Sequence, residues 1–242
     1  MTSSKPFDVR QHFKSRAPKY DQAIRLLIPA YEALHAMSHS FLRSELPDRA
    51  EILVVGAGTG MELMTIGMAN PGWRFTAVDP SPEMMALCLA NVAAAGLSDR
   101  VELHQGVVAQ LPDKPRYDAA TAILVSHFMQ EDNKKRSFFQ SICSRLRHGA
   151  PLISADLYGD KESAEFQPLF TAWKRFCSLS GMSAAEIEKV FAHIESNISF
   201  IPERKRNQLL EQSGFGNTFS FYRALLFGGW VSRKLGNHAQ SD

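Results

Sequence analysis

Glu51-Ile52-Leu53-Val54-Val55-Gly56-Ala57-Gly58-Thr59-Gly60 joins a short apolar run to three glycines at alternate positions. The run has no polar alternation, so it reads as a strand buried on both faces, as strands of parallel sheets are. Glycines at 56, 58 and 60 let the backbone turn tightly and lie close to a ligand where the next helix opens. This turn decides the fold, because the chain after it repeats the same strand-then-helix unit.

Outward from the turn, the pattern predicts a helix over 61–70, a Pro71-Gly72 turn and a strand over 73–78 ending at Asp79. Ser81 followed by Pro82 opens a helix that runs to about Ala95, and Gly96 stops it. Strands are expected over 100–105, 117–125 and 150–157, with a helix over 132–147. Connections this long cannot be hairpins, so the sheet should be parallel with helices on both faces, a doubly wound α/β fold. Before it, residues 1–47 read as an N-terminal helical cap with breaks at Pro18 and Pro29. The main domain spans 48–235, with a helical lid inserted at about 158–200. A helix over 203–212 and strands over 215–223 and 224–231 follow. Residues 233–242 are polar and expected to fray, with a flexible tail over 236–242.

The chain has 242 residues, enough for one α/β domain with a cap. A net charge of +2 does not call for a polyanionic partner. Basic clusters such as Lys134-Lys135-Arg136 and Arg204-Lys205-Arg206 sit on expected helices without interleaved aromatics, so they read as solvated faces. Cys88, Cys143 and Cys177 are far apart, which argues against a disulfide framework or a metal site and for a cytoplasmic protein. There is no apolar run of membrane-spanning length, and no membrane partner is expected.

Asp79 ends the second strand, where a carboxylate can accept both ribose hydroxyls of a nucleoside. A dinucleotide site requires G-x-G-x-x-G, and counted from Gly56 the third glycine falls on Met61. The G-x-G-x-G actually present resembles the S-adenosylmethionine (SAM) turn of the class I, Rossmann-like methyltransferases. That resemblance implies a parallel sheet with one antiparallel terminal strand, and SAM held by Gly56, Ala57, Gly58 and Asp79. It further implies packing on the adenine by Pro80 and Met84, with contacts from Gly106, Val107 and Val125. Two positions depart from the family: Val54, where many relatives carry an acid, and Val107, where an acid commonly accepts from the adenine amino group.

Ala17-Pro18-Lys19-Tyr20-Asp21, Ile24-Arg25 and Ile28-Pro29-Ala30-Tyr31-Glu32 are similar to the cap of one bacterial subgroup of that family. The subgroup includes wobble-uridine tRNA carboxymethyl-transferring enzymes and small-molecule methyltransferases. By this resemblance Tyr20 closes over the methionine end of SAM, Arg25 lies near its carboxylate, and Tyr31 faces the methyl acceptor. His127 follows the fourth strand, at the sheet edge where ligands sit, and an imidazole there can take a proton from an attacking hydroxyl or amine. Phe166, Phe170, Trp173 and Phe176 would wall an apolar acceptor pocket from the lid, Phe170 and Trp173 touching the substrate.

The expected function is methyl transfer from SAM to an oxygen or nitrogen of a small, partly apolar molecule. One alternative is a tRNA-modifying enzyme using SAM or carboxy-SAM. Its relatives hold the extra carboxylate with an arginine ahead of the sixth strand; that place falls near Leu209, with Arg206 one turn away. Another is a non-catalytic SAM-binding protein, which the valines at 54 and 107 would suit. The apolar N-terminal helices could also pair two subunits as a homodimer.

Overall fold

Strand β1 (Glu51–Val55) pairs in parallel with β2 (Arg74–Asp79) on one side and β4 (Ala119–Ile123) on the other. Beyond them lie β3 (Val101–Gln105) and β5 (Pro151–Leu157), and the sheet closes with β7 (Phe227–Lys234) and β6 (Phe215–Ala224) in the order β3-β2-β1-β4-β5-β7-β6. Only β7 runs antiparallel to its neighbours β5 and β6, one strand in from the edge. The reversal of strand order between β1 and β4 opens a crevice at the carboxyl ends, where open α/β sheets take ligands. This computed structural model describes residues 20–236, so the first part of the expected cap and most of the expected tail lie outside the described residues.

Side-chain alternation along β1 builds two cores. Ile52 and Val54 join the larger one with α2 (Tyr31–Glu45), α3 (Met61–Ala69) and α4 (Pro82–Ala94). Leu53 and Val55 join the other with α5 (Asp132–Arg145) and α8 (Glu203–Glu211). A strand buried on both faces needs apolar residues at every position, which is what the sequence supplies. The cap helices α1 (Tyr20–Leu27) and α2, and the lid helices α6 (Phe166–Leu179) and α7 (Ala184–Asn197), share the larger core. No helix among the described residues is long and apolar enough to cross a membrane.

Several boundaries differ from expectation for local reasons. Strand β4 ends at Ile123 because Leu124 takes a left-handed conformation, φ 62°. Helix α5 stops at Arg145 because Leu146 turns extended and bridges to Tyr117. The β6–β7 turn falls at Leu225, φ 53°, which carries β7 on to Lys234. Arg233 and Lys234, expected to fray, therefore pair with Pro151 and Phe215. The lid breaks into two helices at Gly181, φ 105°.

Candidate functional site

The glycine turn is left-handed at Gly56, φ 74°, and again at Gly58, φ 54°. A Cβ on Gly56 would come within 2.3 Å of Val125 Cγ2, so the turn and the end of the fourth strand require glycine to approach. A Cβ on Gly58 would meet nothing within 4 Å, because this backbone opens onto a cavity. Asp79 fastens the turn: one carboxylate oxygen accepts from the Gly58 N–H at 2.9 Å and the other from the Ser81 N–H at 2.9 Å. Burial raises its carboxyl above the usual range, against the pull of those two N–H donors. Each oxygen keeps a lone pair for a further donor.

The cavity above the turn measures about 700 Å³, a size suited to a nucleoside cofactor. Gly56, Gly58, Asp79, Pro80 and Met84 line it from the β1 and β2 ends; Gly106, Val107 and Val125 line it from the β3 and β4 ends. Tyr20 closes it from the cap. Ala57 is buried within the turn, its N–H donating to Val78 O, and does not line the space. Arg25 does not line it either: its guanidinium pairs with Glu32 at 2.7 Å and donates to the Asp21 carbonyl at 2.5 Å.

A second cavity of about 400 Å³ lies between cap and lid. Ile24, Leu27, Trp173, Val190, Ile194 and Phe227 give it an apolar wall, and His127 faces it from the sheet side. Tyr20, Leu124 and Phe128 line both cavities, so a single layer of side chains is common to the two. Tyr31 and Phe170, expected on the acceptor side, line neither. Tyr31 is buried edge-on against His35 at 4.5 Å, and Phe170 packs between Phe166, Trp173 and Phe191.

His127 is held at three points. Its N–H and its Nδ1 both reach Asp156 Oδ1, at 3.1 and 3.0 Å, and its carbonyl accepts from the Ser199 N–H at 2.9 Å. The other Asp156 oxygen accepts from the Ser126 hydroxyl at 2.6 Å. Burial alone would raise the Asp156 carboxyl, but His127, Ser126 and Lys135 together hold it below the usual range. Lys135 is itself buried, donates to the Ser126 carbonyl at 2.6 Å, and is pushed down to about 8 by burial. Asp156 escaped the sequence reading, although a lone carboxylate inside the apolar run 151–157 is a signal in itself: a buried charge needs a partner.

Residues 53–152 match a family model described as a methyltransferase domain. The chain is 19% identical over 227 residues to the carboxy-S-adenosyl-L-methionine synthase of Klebsiella pneumoniae (strain 342), covering 92% of this chain and 90% of that protein. Among solved structures, the 1,6-didemethyltoxoflavin-N1-methyltransferase of Burkholderia thailandensis, with 1,6-didemethyltoxoflavin and S-adenosylhomocysteine bound, superposes with a TM-score of 0.66. It is 18% identical, over 98% of this chain and 93% of that one. The cyclase SpnF superposes with a TM-score of 0.69 at 13% identity, over 98% of each chain. Such likeness to solved structures is one of fold, and the chemistry must be argued from the site. The matched stretch runs from β1 and the glycine turn through Asp79 and into β5, so the likeness to a methyltransferase domain covers the turn and the strand ends that line the first cavity.

Proposed function

We propose that the protein transfers a methyl group from SAM to an oxygen or nitrogen atom of a small, partly apolar molecule. The observation that carries this reading is the layer of Tyr20, Leu124 and Phe128 common to the two cavities. SAM, when bound, supplies an electrophilic methyl group on a sulfonium. Asp79 would receive the ribose hydroxyls, and Pro80 and Met84 would pack on the base. The apolar wall of the second cavity strips water from the acceptor, which makes its oxygen or nitrogen a better nucleophile. His127 faces that cavity and would take the proton the acceptor gives up. The test is titration calorimetry with SAM and with NAD, followed by mass spectrometry of hydroxyl- and amine-bearing apolar compounds incubated with protein and SAM. SAM binding and a methylated product are expected; binding of NAD without SAM would overturn the reading.

A second reading draws on one observation, the alignment of carboxy-SAM synthases with nearly the whole chain. It would have this protein make or use a carboxylated cofactor. Against it, the place expected for a carboxylate-holding arginine is Leu209, which is buried. Arg206 is enclosed too, donating to Ser154 Oγ at 2.5 Å with its guanidinium 3.9 Å from the Trp230 ring centre, and it lines neither cavity. Native mass spectrometry of freshly purified protein separates the readings by the mass of the cofactor that travels with it.

A further inference from the structure

We infer that Asp156 is a positioning residue that fixes the tautomer of His127, placing the proton on Nδ1 and leaving Nε2 as a proton acceptor toward the second cavity. The inference rests on the methyl-transfer reading for the reaction it serves, but its geometry stands apart from that reading. A carboxylate only accepts hydrogen bonds, so the ring nitrogen 3.0 Å from Asp156 Oδ1 must be the one that carries hydrogen. A neutral imidazole has one N–H, so Nε2 then holds a lone pair. Asp156 cannot turn away, because the His127 N–H and the Ser126 hydroxyl hold both its oxygens and it is 3% exposed.

The charges around the pair favour the same arrangement. Lys135 on α5 helps hold the Asp156 carboxyl below its usual range, with the Ser126 hydroxyl and His127 itself. Glu186, Lys189 and His193 on α7 line the cavity that His127 faces. When Nε2 takes a proton, the imidazolium is paired with the Asp156 carboxylate and needs no counter-ion from solvent. The proton balance defines the acceptor class. As the acceptor forms its bond to the methyl carbon, the carbon–sulfur electron pair returns to sulfur and the acceptor's proton passes to Nε2. Acceptors are therefore apolar molecules whose nucleophile carries a hydrogen, a hydroxyl or an N–H, and not thioethers or tertiary amines.

The test is long-range 1H–15N correlation NMR of the histidine rings at neutral pH, with the protein alone and with SAM added. The chain has 8 histidines, and the His127→Asn variant assigns the relevant ring by its disappearance. The wild-type ring should be protonated at Nδ1 and bare at Nε2. Asp156→Ala should lower the ratio of that tautomer to the other by about 10–100-fold, as expected for loss of a charge-assisted hydrogen bond. Asp156→Asn keeps the shape of the site and an oxygen able to accept from Nδ1, so it should retain the tautomer. An Nε2–H ring in the wild type overturns the inference, whether or not the alanine variant folds. Calorimetry on the same samples keeps the two ideas apart: a wild type that fails to bind SAM sinks the methyl-transfer reading, whatever the ring shows.

Discussion

The indole N–H of Trp173, on the first lid helix, donates to the carbonyl of Leu27, the last residue of the first cap helix, at 2.7 Å. The two residues are 146 positions apart in the chain, yet both line the second cavity. Leu27 ends a helix, so its carbonyl has no helical partner of its own, and the indole satisfies it. Cap and lid are thus joined at the wall of the second cavity, which both elements line.

Trp173→Phe should weaken this joint. The variant loses one buried hydrogen bond and leaves a small void, together on the order of 1–3 kcal/mol. Urea unfolding should show a lower midpoint with an unchanged slope, and SAM affinity should hold, because Trp173 does not line the cofactor cavity. An unchanged midpoint would mean that the cap–lid contact contributes nothing to stability.

Asp79→Ala should raise the SAM dissociation constant by one to several decades, since two charge-assisted hydrogen bonds of about 1.5–3 kcal/mol each are lost. The structure adds a second reason: the variant also frees the Gly58 and Ser81 N–H groups that shape the turn. Affinity in the wild type should fall at acid pH, because the raised carboxyl takes up a proton sooner than an exposed aspartate and then accepts fewer bonds. Calorimetry in a folded variant giving unchanged affinity would remove Asp79 from the site.

The lining of the first cavity was legible because its signals are local. The apolar run 51–55, the glycines at 56 and 58 and the acid at 79 lie on consecutive elements, and backbone geometry alone brings them together. The lining of the second cavity depends on choices between distant partners. Periodicity shows that Phe166, Phe170, Trp173 and Cys177 share a buried face, and they are buried, but it does not show that Phe170 meets Phe191 while Trp173 reaches a cavity. Arg25 finds Glu32 seven residues on, a pairing set by the break between the first two cap helices. His127 was visible at its strand end, whereas Asp156, 29 residues later, becomes part of the site only through the pairing of β4 with β5.

Glu62 makes stability depend on pH. It is buried in the first turn of the helix after the glycines, and its Oε1 has no hydrogen-bond partner. Burial pushes its carboxyl up to about 7, with the Thr121 hydroxyl pulling the other way. The folded value lies above the unfolded one, so its stabilising contribution is complete below about pH 4.5 and is lost as pH rises through 7. The loss from this group should approach about 3 kcal/mol by pH 8 or above. Glu62→Gln should flatten the fall in urea stability between pH 5 and pH 8. Identical slopes for variant and wild type would show that the carboxyl is ionised throughout.

His127→Ala tests the chemistry itself. His127 lines the second cavity and not the first, so SAM affinity should stay within a few-fold of the wild type. The rate of methyl transfer at saturating acceptor should fall about 10²–10⁴-fold, the usual contribution of a positioned general base. His127→Asn keeps a donor for Asp156 and most of the side chain's volume but offers no basic nitrogen, so it should be as slow as the alanine variant. If the asparagine variant instead keeps most of the activity at every pH, His127 only shapes the pocket. The rate would then come from desolvation and in-line placement of the acceptor against the layer formed by Tyr20, Leu124 and Phe128.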